Sequence, residues 1–222
     1  MILFDEISDR ILPMRPDIED RQAQLGFQVA VRRLAVDTYA LQETVTLNVL
    51  AGTTRAEVYG QNIEKNCVCI LKGEARKLGS TADFDGLEPL NEGDYRQHSF
   101  SVTQDVGSVI AYIDDGGAFV PYFTPEEDHE VRLLVAYAPK GGDFDSAPLN
   151  AECEDAIVAG TLAYILRLPG KHQNLQLAEH EDAKFNDYAA DVRSRVLIGI
   201  HGYRRASSFN VVPRRNAWNK LR

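Results

Sequence analysis

The spacing of apolar and polar positions changes period twice along the chain. Over residues 2–12, Leu3, Phe4, Ile7 and Ile11 recur on one side of a short amphipathic stretch, which Pro13 and Pro16 interrupt. Asp17 then offers an N-cap, with Glu19 in the first turn and Asp20 three residues on. The spacing predicts a helix from there to about Ala40. Its inward face is Leu25, Val29, Arg32, Val36 and Tyr39, broadened by Ala30, Leu34 and Ala35.

From Thr44 the period becomes two. Val45, Leu47 and Val49 alternate with Thr44, Thr46 and Asn48, the pattern of a half-buried strand. Further strands are expected at 55–59, 67–71, 99–103, 108–113, 118–123 and 130–137. Turn clusters separate them at Gly79, 83–86, Gly93-Asp94 and 114–117, the last (Asp114-Asp115-Gly116-Gly117) reading as a hairpin turn. Short strands at this density predict a small antiparallel sandwich or barrel.

Helical spacing returns after the loop that holds Gly141 and Gly142. Ile157, Gly160, Thr161, Tyr164, Ile165 and Leu168 fall on one face, and Pro169-Gly170 stops that helix. Asn174 is placed to cap a second helix, whose stripe is Phe185, Tyr188, Ala189, Val192, Val196 and Ile200, ending near Gly202. Two helices joined by so short a turn are expected to pack antiparallel. The predicted class is therefore α+β, in the order helices, strands, helices.

Charge adds a second division. The 222 residues hold 24 Lys and Arg against 33 Asp and Glu, a net charge of −9. Six of those cations (Arg204, Arg205, Arg214, Arg215, Lys220 and Arg222) lie in 201–222, where no acid occurs. Residues 1–200 are left with 18 cations against the 33 acids, or −15. A body so acidic is a poor match to a duplex-gripping module, which needs Lys and Arg facing phosphates. The tail is not a plain charge run either. Phe209, Val211, Val212 and Trp218 are interleaved with its arginines, a composition unlike a free solvated tail, and it is expected to dock on a partner, the alternative being a tail packed on its own domain or left disordered.

The rest of the composition narrows the class. Hydrophobic residues make up 44% of the chain, enough for a core, and no apolar run reaches the roughly 18 residues of a membrane helix. The start lacks the basic flank and cleavage site of a signal peptide. Cys67, Cys69 and Cys153 make no disulfide framework. They are expected to be reduced structural thiols, Cys67 and Cys69 on one strand face, in a protein made in the cytoplasm.

Candidate chemistry is sparse. Glu179-His180-Glu181-Asp182 resembles a metal set, but adjacent residues on a helix point in different directions. Neither Gly116-Gly117 nor Gly141-Gly142 opens a phosphate-binding pattern, and no GxSxG, HExxH or Cys/His constellation occurs. No catalytic residue, cofactor or metal is implied, and a non-enzymatic structural protein is expected. Acid-rich loops at 83–85 and 114–115 are the best places for calcium in a different reading, a cellular β-sandwich ligand-binding protein or enzyme. One or two carboxylates per loop fall short of the six to eight oxygens such a site uses.

One segment carries a resemblance. The strand ending Val135-Ala136-Tyr137-Ala138-Pro139 leads into Ala156-Ile157-Val158-Ala159-Gly160-Thr161-Leu162-Ala163-Tyr164-Ile165-Leu166-Arg167-Leu168-Pro169-Gly170-Lys171, followed by Ala178 and, seven residues on, Phe185. This is similar to the head-to-tail adaptor proteins of tailed bacteriophages. There a final strand ends in Pro, a helix of the form aI..Ga...Ll..PgK follows, and the next helix carries Ala and Phe about seven apart. The resemblance is specific over 131–195. The chain departs from it at His172-Gln173-Asn174, where relatives often carry a Trp-Ser-Asp-like segment.

The resemblance implies an N- and C-terminal helical bundle, antiparallel, with a β-sandwich or barrel-like domain inserted and an extended C-terminal arm. The corresponding parts are 1–41 and 148–203 for the bundle, 42–147 for the insertion and 204–222 for the arm. It also implies a virion protein of the neck. Such a protein forms a homo-oligomeric ring of about twelve copies, a closed assembly with two unlike patches per subunit. The ring joins the portal protein to the tail nozzle or next neck protein, with double-stranded DNA passing through unbound and no membrane involved. The arm residues expected to meet the portal are Arg204, Arg205, Phe209, Val211, Val212, Arg214, Arg215 and Trp218. Arg suits carboxylates there, and the aromatic residues suit buried anchors. Another neck component, such as a tail terminator or nozzle-contacting ring, fits the same features.

Overall fold

A computed structural model describes residues 1–16, 18–60, 64–90, 106–107, 109–140, 146–171 and 173–201. The chain opens with a two-residue strand β1 (Ile2–Leu3), helix α1 (Phe4–Ile11) and helix α2 (Asp20–Thr38). The β-rich part follows as β2 (Gln42–Val49), β3 (Ala56–Glu57), β4 (Lys65–Lys77), β5 (Asp85–Leu90), β6 (Val106–Gly107), β7 (Ala111–Asp115), β8 (Ala118–Pro121), β9 (Thr124–Pro125), β10 (His129–Pro139) and β11 (Ser146–Ala147). A 3-10 turn (Ala151–Cys153) leads into α3 (Glu154–Arg167), and α4 (Leu175–His201) follows. The α+β class and the order of the sequence reading are those observed.

Seven strands form one barrel-like sheet in the order β2-β10-β4-β5-β7-β8-β3. Its pairs are antiparallel except β5 with β7, which is parallel. β2 is the alternating strand expected, with Val45, Leu47 and Val49 inward. β5 begins inside the cluster 83–86, where the sequence predicts only a turn; Leu87 is buried there, paired to Gly73 of β4. The strand expected at 99–103 and the cap expected at Asp17 lie outside the described residues. α2 has Glu19 in the capping position instead.

Two cores share β10. Val131, Leu133 and Val135 point into the barrel with Val49, Ile70, Tyr112 and Phe119, and Tyr137 and Ala138 belong to the helical core. β4 is bulged opposite this changeover. Cys67 and Cys69 pair with the adjacent residues Tyr137 and Ala136, which leaves Val68 between them to pack toward the helices. Tyr59 touches both cores and meets Tyr137 edge-on at 6.5 Å. The N-terminus is tied in by β1, which pairs with β11 at the end of the β-rich part.

α3 is the middle of the helical part. Every residue from 156 to 163 is buried, which is why its sequence is apolar on all sides. α2 and α4 both pack on it, and Gly160 marks the closest approach. A Cβ there would stand 2.9 Å from the Ala30 Cβ and 2.8 Å from the Phe185 ring. α3 stops before Pro169, Gly170 takes φ +139, and the Asn174 side chain accepts the Leu177 N–H at 3.0 Å. That is the capping role expected of Asn174.

Candidate functional site

The face of α2 is not the one the large side chains suggest. Leu25, Val29 and Val36 are exposed by 41%, 37% and 47%, while Ala23, Gly26, Phe27, Ala30, Val31, Leu34, Ala35 and Thr38 face the core. The small residues decide this. Gly26 lies so close to Thr161 that an added Cβ would meet its methyl at 3.0 Å, and Ala30 meets Gly160 across the same contact. Close backbone approach there brings Phe27 and Leu34 into full burial. The outcome is an apolar stripe on the outside of α2. Tyr188 of α4, also expected inward, is likewise exposed.

Charged groups lock the helices together at one end of this contact. Asp182 of α4 pairs with Arg33 of α2 and Arg167 of α3, and Arg33 also donates to Asn186 at 2.8 Å and stacks 4.2 Å above the Phe185 ring. Burial alone would raise the Asp182 carboxyl, but hydrogen bonds from the two guanidinium groups outweigh it and hold it below its ordinary value. Its neighbours in the Glu-His-Glu-Asp run diverge, as expected: Glu179 and His180 are exposed, and Glu181 accepts from Lys184 at 2.8 Å. Among the described residues no three His, Cys, Asp or Glu side chains converge as a metal site.

The hairpin acids are consumed locally. Asp114 accepts the N–H groups of Ile70 at 2.8 Å and Gly117 at 3.2 Å, and Asp115 pairs with Arg55. The carboxylate of Asp114 sits near the thiols of β4. Burial, then that charge, pushes Cys67 up to about 12 and Cys69 up to about 11, and burial raises Cys153 too. Thiols held protonated in this way are poor nucleophiles and poor ligands.

A groove of about 460 Å³ opens beside the C-terminal end of α4. Leu149, Tyr137 and Val192 make its buried floor; Leu134, Val196 and Ile200, half-buried, make its walls. Gln42, Asn150 and Glu152 supply a polar rim, where Arg195 pairs with Glu152 at 2.6 Å and with Asp191 at 3.4 Å. The sequence reading missed this groove, although it had a signal. Val196-Leu197-Ile198-Gly199-Ile200 is apolar on every side of the helix, more than one packing face requires. The arm residues Arg204, Arg205, Phe209, Val211, Val212, Arg214, Arg215 and Trp218 lie outside the described residues.

No helix among the described residues is long and apolar enough to cross a membrane. No protein-family model matches the chain, and no curated protein is significantly similar to it.

Proposed function

We propose that the chain is a head-to-tail adaptor of a tailed bacteriophage virion, a non-enzymatic neck protein. It assembles as a ring of about twelve copies, closed by two unlike patches on each subunit. In this reading the helices form an antiparallel bundle with the β-rich part inserted as a sandwich-like or barrel-like domain. The ring joins the portal protein to the tail nozzle or next neck protein, and the protein is made in the host cytoplasm.

The observation that carries the reading is the packing of the segment that bears the resemblance. β10 ends at Pro139, and α3 places Gly160 against Phe185, the residue seven after Ala178 on α4. Ala178 and Phe185 are both fully buried. The residues of the adaptor-like pattern are thus the ones on which three helices meet, as a shared fold would require.

Two further features support it. A ring copy needs apolar surface left over after folding, and the outer stripe Leu25, Val29 and Val36 is such a surface, suited to a second copy. The −15 charge of residues 1–200 suits a conduit for DNA, since acidic walls avoid the counterion-release affinity that basic walls generate. The arm 204–222 reaches the portal, with arginines meeting carboxylates and Phe209 and Trp218 as anchors. Deletion of 204–222 is expected to abolish co-sedimentation with portal rings while far-UV circular dichroism keeps the helical signal of 1–201. Undiminished portal binding by the truncated chain would remove the arm from the account.

A further inference from the structure

We infer that the groove beside the end of α4 is the seat of the chain's own C-terminal segment, residues 203–222, folded back onto it in the free protein. The first ground is where the chain leaves the described structure. Gly199 and Ile200 line the groove, and α4 ends at His201. Residues 202–222 are joined directly to this wall, so they stay within reach of it.

The second ground is the surface itself. Val196 and Ile200 face the groove, and Leu197 and Ile198 are only half-buried on the other sides of the same turns. A helix end apolar all round is stable in water only when covered. The third ground is complementarity. The segment offers Phe209, Val211, Val212 and Trp218 to an apolar floor with room for one or two aromatic side chains. It offers six cations to a rim that carries the well-exposed Glu152, whose partner among the ion pairs described is Arg195.

Tethering selects the occupant. A segment joined to the groove's own wall sees it at an effective concentration of about a millimolar, which exceeds that of a second copy in any dilute solution. The seat is therefore intramolecular. A partner that takes the arm must first compete it out of the groove. The inference does not depend on which protein that partner is.

Trp218 is the chain's only tryptophan, so fluorescence excited at the red edge, where the nine tyrosines do not absorb, reads this segment alone. In the full-length protein we expect blue-shifted emission and acrylamide quenching slowed roughly fivefold relative to a synthetic 204–222 peptide, unchanged on dilution, because the tether sets the local concentration. Val196→Asp with Ile200→Asp is expected to return both readings to the peptide values. Phe209→Ser with Val211→Ser and Val212→Ser, which alters no residue of the described fold, is expected to do the same. Peptide-like emission and quenching in the unaltered full chain would overturn the inference. So would protection that disappears on dilution, which marks a second copy as the occupant, or protection that survives both sets of substitutions, which marks a different seat. The measurement uses the protein alone, so its failure leaves the portal reading standing, and failed portal binding leaves this seat standing.

Discussion

Gly160→Ala places a methyl group between two helices that have left no space for it. The added carbon would lie 2.8 Å and 3.1 Å from the Phe185 ring and 2.9 Å from the Ala30 Cβ. Comfortable carbon–carbon contact is about 3.5–4.0 Å, so the deficit is roughly 0.7 Å on two sides at once. Phe185 belongs to α4 and Ala30 to α2, and both are buried, so α3 cannot move away from one without pressing on the other. Overpacking of this kind costs about 1–3 kcal/mol. Replacing a mid-helix Gly by Ala returns about 1 kcal/mol. Two buried neighbours are pressed at once, so the overpacking term exceeds the propensity term, and the expected net is a loss of up to about 2 kcal/mol. Gly199→Ala, made in the chain shortened to 1–201 so that nothing lies over the groove it lines, isolates the second term. Its Cβ meets nothing within 4 Å, so that variant should be more stable by about 0.5–1 kcal/mol. Urea titrations followed by far-UV circular dichroism read both, and the two midpoints should move in opposite directions. A Gly160→Ala midpoint at or above that of the unaltered protein would refute the claim that α2 and α4 close on α3 at this residue.

Other expectations follow from the same geometry. Asp182→Asn removes the acceptor shared by Arg33 and Arg167 and should cost about 1 kcal/mol, a partly exposed charged network. Because the folded carboxyl is held below its ordinary value, its contribution is complete above an unfolded pKa of about 3.9 and is lost as pH falls through the lower folded value. The stability gap between the two proteins, measured by urea titration, should be flat near neutrality and should narrow only in acid; a gap that opens as pH falls contradicts this. Cys67 and Cys69 should react slowly with a thiol reagent at mildly alkaline pH and faster in urea, and fast labelling of the native protein would contradict thiols held protonated in half-buried places beside Asp114. Leu25→Asp with Val36→Asp changes exposed side chains, so thermal unfolding should be nearly unaltered while portal-templated ring assembly fails. Rings of normal stoichiometry from that variant would free the α2 stripe of an interface role.

Much of the fold is legible in short-range chemistry. Pro169-Gly170 ends α3, Asn174 caps α4, and the alternation from Thr44 to Val49 makes β2. These features depend on neighbours in sequence, which a reading of spacing can see. The face of α2 depends instead on a distant partner. Leu25, Val29 and Val36 are as hydrophobic as Phe27, Val31 and Leu34, and only the small residues Gly160 and Thr161 on α3 select between the two stripes. β5 was hidden for a related reason. Its sequence, Asp85-Gly86-Leu87-Glu88-Pro89-Leu90, looks like a turn, and it is a strand because β4 and β7 supply ladder partners on either side. β4 runs past the apolar stretch that announces it. Arg76 pairs with Glu130 and stacks on Phe84, so polar contacts carry that half of the strand. For the candidate site, the arm was visible as composition, whereas the groove required α4, β10 and Leu149 to be brought together.

In the proposed adaptor role this chain decorates a phage portal as a ring, and electron microscopy of the protein mixed with portal rings from the same phage reads that assembly outright. A second ring stacked on the tail-facing end of the portal, of about twelve copies and open along its axis, is the expected image. Bare portals at saturating protein would refute the adaptor role.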